Sequence, residues 1–233
     1  MPKWFVGWVS RRYVAGTKLS DAVKVMQRLS KEGACFTIDV LGEEITSMEE
    51  ATFFLEEYKR VISAIIENDL DSNLSIKPTA FGLLLDREKG MENIETLVKM
   101  AQGYDMFVRL DMEDHRVTED TIQVMLDMHQ KGLTNVGVVL QGRLFRTLDD
   151  IERIKEILGP NADYRICKGI YLEPEEISHT DRKPIIDATN KCIDAMLDAG
   201  AYVGVASHDY PVVNHTIACL LYTSDAADDL IGV

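Results

Sequence analysis

Six short β-branched runs each carry a polar residue near their end: Asp39, Lys77, Asp111, Gln141, Lys168 and His208. Glu43, Arg109, Glu113 and Arg165 lie within a few residues of them. Carboxylates, cations and an imidazole gathered at the ends of buried strands suit proton transfer, anion binding or amine chemistry. Such charges need partners or a ligand, because an unpaired buried charge is very costly. A structural ion-pair network is the plainer reading, but charges arriving from five or six strands favour a site. Lys77 fits two roles, a Schiff-base nucleophile or a fixed positive charge beside an anionic substrate or cofactor. Its setting, Ser75-Ile76-Lys77-Pro78-Thr79, does not decide between them. Arg165 and Lys168 fall on opposite faces by strict alternation, so one of them is expected beyond the strand end. Gly169 then permits close backbone approach to a ligand.

The elements that position these residues are legible as a rhythm. The runs Cys35–Leu41, Leu74–Pro78, Met106–Asp111, Val136–Gln141, Tyr164–Lys168 and Tyr202–His208 are nearly continuous in apolar character. That suits strands buried on both faces, as in a parallel sheet. Helical stretches fill the gaps. Ser47-Met48-Glu49-Glu50 is a capping box, and Ala51, Phe54, Leu55, Tyr58, Val61, Ile62, Ile65 and Ile66 follow on one helical face. Thr118 and Thr147 are placed to start further helices, and Gly159-Pro160 and Gly200 to stop them. An opening helix is expected over Lys18–Glu32, ending at Gly33. Repeated βα units predict an α/β fold, either a (βα)8 barrel or a doubly wound sheet. No GxGxxG or GxxxxGK[ST] loop follows a strand, which favours a (βα)8 TIM-type barrel, with about six units present.

Composition narrows the function classes. A net charge of −14 argues against a nucleic-acid partner and allows at most peripheral membrane contact. No apolar run is long enough to span a bilayer. The apolar patch Trp4–Val9 precedes two arginines, the reverse of a secretory signal, so a cytoplasmic protein is expected, at most peripheral at the inner face of the membrane. Four cysteines without a CxxC pair read as reduced packing residues, and the scattered histidines lead us to expect no metal site.

At the strand ends the chain resembles the proline dehydrogenase family, including the corresponding domain of bifunctional proline-utilisation enzymes. The resemblance runs in order through Arg12-Tyr13-Val14-Ala15-Gly16, Thr37-Ile38-Asp39-Val40-Leu41-Gly42-Glu43, Ser75-Ile76-Lys77-Pro78-Thr79 and Arg109-Leu110-Asp111-Met112-Glu113-Asp114. It continues through Gly137-Val138-Val139-Leu140-Gln141, Leu144-Phe145-Arg146-Thr147, Arg165-Ile166-Cys167-Lys168-Gly169-Ile170-Tyr171-Leu172-Glu173-Pro174 and Ala206-Ser207-His208-Asp209. It implies a distorted (βα)8 TIM-type barrel holding FAD non-covalently and oxidising L-proline to Δ1-pyrroline-5-carboxylate, with electrons passed to a quinone. A pyrroline-5-carboxylate dehydrogenase fused downstream would also be compatible. By this resemblance Lys77 matches the lysine beside the substrate, and Asp111 the carboxylate that orients that neighbourhood. Met112 and Gln141 match flavin contacts, and Arg165 the arginine near flavin N5. Lys168, Gly169 and Ile170 match the next FAD-contacting stretch, and Ser207 with His208 a Thr-His pair there. Gly142 and Arg143 depart from the usual Ala-Tyr, His115 from a serine and Ile170 from an alanine. The bulk of Ile170 is expected to bear on the tightness of FAD binding. An aldolase or lyase barrel using Lys77 or Lys168 is the competing enzyme class, and a non-catalytic barrel remnant the competing non-enzyme.

Three segments are expected: a helical segment over 1–34, a partial barrel over 35–218, and a tail over 219–233. Cys219-Leu220-Leu221-Tyr222-Thr223-Ser224-Asp225 resembles the translated end of a transposase sequencing adapter, so the tail is expected to be non-native. The family's substrate-carboxylate arginines, borne on a last helix, have no stand-in here. The 233-residue chain alone is therefore expected to be insoluble or weakly flavinated and nearly inactive.

Overall fold

The computed structural model describes residues 15, 16 and 18–228, with side chains as far as residue 220. The Arg12-Tyr13-Val14 part of the first motif and the last five residues of the tail lie outside the described residues. The chain falls into two compact units that meet between Val108 and Arg109.

The first unit opens with α1 (Leu19–Ser30), a little shorter than the helix expected over Lys18–Glu32. β1 (Phe36–Ile38) pairs in parallel with β2 (Ser72–Ile76), Ile38 opposite Leu74. β1 is shorter than its apolar run because Val40 N–H leaves the ladder and donates to the Tyr58 hydroxyl at 3.1 Å. Between these strands runs α2 (Met48–Glu67), whose capping Ser47 accepts from Glu50 N–H as the capping box predicts. Ala51, Leu55, Tyr58, Val61, Ile62 and Ile65 form its buried stripe, whereas Ile66 is substantially exposed. A 3-10 turn (Pro78–Phe81) follows β2, and α3 (Arg87–Gln102) is capped by Asp86, which accepts from Lys89 N–H.

The second unit continues the alternation with α4 (Thr118–Gln130) after β3 (Val108–Leu110), and α5 (Thr147–Leu158) after β4 (Val136–Gln141). Then come β5 (Asp163–Cys167), α6 (Arg182–Asp198), β6 (Tyr202–Val205) and α7 (Tyr210–Asp228). Parallel pairing sets Gln141 opposite Cys167 and Ile166 opposite Val205. Thr118 and Thr147 do open helices, but as first helical residues. Their hydroxyls donate backward, Thr118 to Asp114 O and Thr147 to Gln141 O at 2.6 Å, so each ties a helix start to the strand-end loop before it.

Strand neighbours follow chain order within each unit. The architecture is α/β, with six of the eight βα units of a (βα)8 barrel among the described residues, as expected. The apolar runs behave as buried strands: β4 is buried throughout, and Tyr164 and Ile166 of β5 are fully covered while Asp163, Arg165 and Cys167 alternate onto the other, half-open face. No helix among the described residues is long and apolar enough to cross a membrane.

Candidate active site

In the first unit the polar cluster is built on Tyr58, a fully buried residue of α2. Its phenol oxygen lies 2.7 Å from Ser75 O and 3.0 Å from Asp39 Oδ1, so its one proton is shared between an acceptor inside β2 and one just past β1. Asp39 Oδ2 in turn lies 2.7 Å from Lys77 Nζ, and both side chains are about four-fifths covered. Schiff-base chemistry needs a neutral amine, whereas this lysine is locked to a carboxylate. The geometry therefore suits the fixed-charge role for Lys77 better than the nucleophilic one.

In the second unit, β3 and β5 carry two arginine–aspartate pairs on one face. Arg109 meets Asp163 at 2.6 Å, and Asp111 meets Arg165 at 3.2 Å. The first of these corrects the expectation that Arg109 belongs with the strand-end group. Arg109 lies inside β3, and its guanidinium reaches the first residue of β5, donating also to Asp163 O at 3.1 Å. It therefore points toward the opening end of the sheet, away from the ends where a βα barrel does its chemistry. Burial lowers the Arg109 pKa and raises that of Asp163, each outweighing the partner's attraction. Asp111 lies one residue past β3, and Arg165, midway along β5, reaches it there; each is about one-fifth open to solvent.

Beside that open pair stands Gln141, the last residue of β4 and almost wholly buried. Its Nε2 donates to Glu113 O at 2.7 Å, while its Oε1 is buried without a partner. An orphaned acceptor in such a place is costly unless a ligand or water meets it. Gly169 passes directly over it with φ +99, and a Cβ there would stand 2.4 Å from Gln141 Oε1. Only glycine fits both the left-handed backbone and the space. The preceding Gly142 is likewise without room, since a Cβ would stand 2.7 Å from Thr189 Cα. Met112 is buried, as a residue lining a ligand cleft can be.

Lys168 lies one residue past β5, as the alternation argument required, and its amine meets Asp209 Oδ2 at 2.7 Å. Arg182 binds the other Asp209 oxygen at 2.6 Å, and the Lys168 hydrogen bond is the main reason the Asp209 carboxyl is held below its usual range. Ser207 Oγ accepts from Asp209 N–H at 3.1 Å and so shapes the turn after β6. His208 and Ile170 are exposed; Ile170, expected against a flavin, is 86% open.

The structure thus groups Asp39 with Lys77 in one unit. In the other it brings together Asp111 with Arg165, Gln141 with Gly169, and Lys168 with Asp209. Tyr58, Asp209, Arg143 and the pair His115–Glu173 were missed as supports of these groups. For Arg143 and His115 the sequence carried a signal, because both depart from the family pattern. A cavity of about 560 Å³ lined by His129, Gln130, Thr134, Ile157, Leu158 and Asn161 lies at the closing ends of α4 and α5, away from this cluster. Asp194, His215 and Cys219 also gather their ligand atoms within 4.8 Å, a cluster that neither CxxC nor HxxxH scanning detects. Its third member is the first residue of the segment expected to be non-native.

The family profile described as proline dehydrogenase matches residues 22–228. Proline dehydrogenase 1 of Bacillus subtilis (strain 168) is 36% identical over 207 residues, covering 89% of this chain and 67% of the relative. Proline dehydrogenase of Deinococcus radiodurans is 30% identical over 210 residues, covering 88% and 67%. Among solved structures, proline utilization A from Bdellovibrio bacteriovorus inactivated by N-propargylglycine superposes with a TM-score of 0.82 at 19% identity. That match covers 94% of this chain and 27% of the other, so it speaks to the fold. The chain spans about two thirds of those curated relatives and about a quarter of that larger chain.

Proposed function

The chain belongs to the proline dehydrogenase family, and from that premise we propose that its strand-end residues serve the oxidation of L-proline to Δ1-pyrroline-5-carboxylate, the first step of proline catabolism to glutamate. In this reaction the proline C5–H bond breaks and its electron pair leaves with the hydrogen as hydride, while the ring N–H gives up a proton and a C=N bond forms. FAD, when bound, supplies the acceptor for that hydride, and a quinone takes the electrons afterwards.

The observation that carries the reading is the partly open Asp111–Arg165 pair, flanked by a buried glutamine whose carbonyl oxygen has no partner. Arg165 offers a positive donor where negative charge develops during hydride transfer, and Asp111 holds that donor in one orientation. Gln141 offers a fixed amide edge to a flavin, and Gly169 lets backbone come close beside it. Lys168, Ile170, Met112, Ser207 and His208 are assigned as further cofactor contacts. Lys77, fixed by Asp39, is assigned to the substrate as a permanent cation. A linked pyrroline-5-carboxylate dehydrogenase and contact with a membrane quinone pool belong to the same proposal.

Fluorescence titration with FAD tests the cofactor half. In protein completed to the length of its relatives, wild type is expected to saturate, and Gln141→Ala and Arg165→Met to bind markedly more weakly. Proline added to that flavin-loaded protein is expected to bleach its visible absorption. Borohydride trapping of a carbonyl compound on Lys77 would instead favour the lyase class and sink the proposal.

A further inference from the structure

The residues between β5 and α6 form a strap over the end of β4, held by an unusual set of contacts. Arg143 is 7% exposed, and its guanidinium donates to Tyr171 O at 2.5 Å and to His179 O at 3.2 Å. No carboxylate lies within ion-pair distance of it among the described residues, and its Nε is buried without a partner. A buried guanidinium without a counter-charge is expensive, and hydrogen bonds to two carbonyls of one strap are what hold it there. Its aliphatic stem lies under Gly169, where a Cβ would come within 2.6 Å of Arg143 Cδ.

A second anchor fixes the same strap from its outer side. The Glu173 carboxylate is buried and accepts from His115 N–H at 3.0 Å, and its other oxygen lies 2.6 Å from His115 Nδ1. Backbone bonds close the frame: Arg143 N–H donates to Lys168 O at 3.1 Å, Phe145 N–H to Ile177 O at 2.9 Å and His179 N–H to Arg143 O at 2.8 Å. Arg143 therefore joins both ends of the strap to β4, and His115 holds its middle.

We propose that Arg143 and His115 are positioning residues that hold the Lys168–Gly169–Ile170 turn in the conformation that takes a flavin. They act through the strap and touch no cofactor themselves. This rests on the assignment of Lys168, Gly169 and Ile170 as flavin contacts. Pre-ordering the turn reduces the ordering that binding would otherwise require, so loosening the strap weakens affinity even with every contact residue intact.

In protein completed to the length of its relatives, the test compares wild type, Arg143→Met and His115→Ala by amide hydrogen exchange of residues 169–179 without flavin, and by FAD affinity. Arg143→Met keeps the stem beneath Gly169 and the backbone bonds but loses both guanidinium bonds to the strap. Both variants are expected to speed exchange in the strap and to weaken FAD binding about tenfold or more, the scale on which supporting residues act. Faster exchange with unchanged affinity overturns the inference, and so does unchanged exchange, whatever the affinity does. Should Arg143→Met fail to fold, His115→Ala, partly exposed and outside the core, decides on the same two readouts. Wild type that never saturates with FAD is a different failure: it sinks the flavin assignment, and this inference falls with it.

Discussion

Arg109–Asp163 and Asp111–Arg165 both run from β3 to β5, two residues apart along each strand, with cation and carboxylate exchanged between them. The chemistry is the same, but the cations differ in burial. The Arg109 side chain is 6% exposed and reaches the first residue of β5, whereas Arg165 is 23% exposed and reaches Asp111 just past β3; the two carboxylates are open to a similar degree. Burial works against the charged forms of both Arg109 and Asp163, so that pair holds the sheet together while returning little of what desolvation costs. The open pair keeps water and space on one side, which is what a group that must meet a ligand needs. Which end of the sheet a pair faces, not residue type, separates the supporting pair from the candidate site.

The comparison breaks most sharply in stability. Arg109→Met leaves the partly buried Asp163 carboxylate without its cation and is expected to cost about 2 kcal/mol, the scale of leaving a polar group unsatisfied. Urea unfolding measures it, and a loss as small as that at the open pair would erase the distinction. Arg165→Met is expected to cost under about 1 kcal/mol in the same assay, because partly exposed pairs contribute little. Its effect should fall on function: in protein competent for turnover, kcat is expected to drop about 100-fold, the scale of removing one charge-stabilising donor.

The smallest effect is one of pH, and it sharpens the contrast through its sign. The Asp163 carboxyl is raised by burial, so folding favours its protonated form, and that contribution is lost as pH rises through the raised value. Asp209 is lowered, first by the hydrogen bond from Lys168, so its contribution is present above the ordinary carboxyl value and lost as pH falls through the lowered one. Urea midpoints for Asp209→Asn should accordingly fall less steeply than wild type below about pH 4. An unchanged acid limb would mean that the Lys168–Asp209 bond contributes nothing to stability.

Much of this could be read before any coordinates. All six strands lie within a few residues of the apolar runs, the Ser47 cap and the stripe on α2 are as the spacing implies, and Lys168 falls just past β5. These features depend on a handful of neighbouring residues, and local chain geometry is enough to specify them. The order of motifs also carried the family. Strand ends were less legible: the run over Cys35–Leu41 stays apolar past Ile38, but Val40 is claimed by a tyrosine 18 residues away.

What only the tertiary structure decided is which charge meets which. Arg109 could have joined the strand-end group, and Asp111 could have been its partner. The pairing instead runs across 54 residues in each case, because Arg109 and Asp111 share one strand face and face β5 at successive levels. Arg143 shows the same limit, since its two acceptors lie 28 and 36 residues away on a strap with no regular structure. Periodicity tells a residue which face it lies on. Strand register and loop path determine what stands opposite, and those are settled only when the whole sheet is assembled.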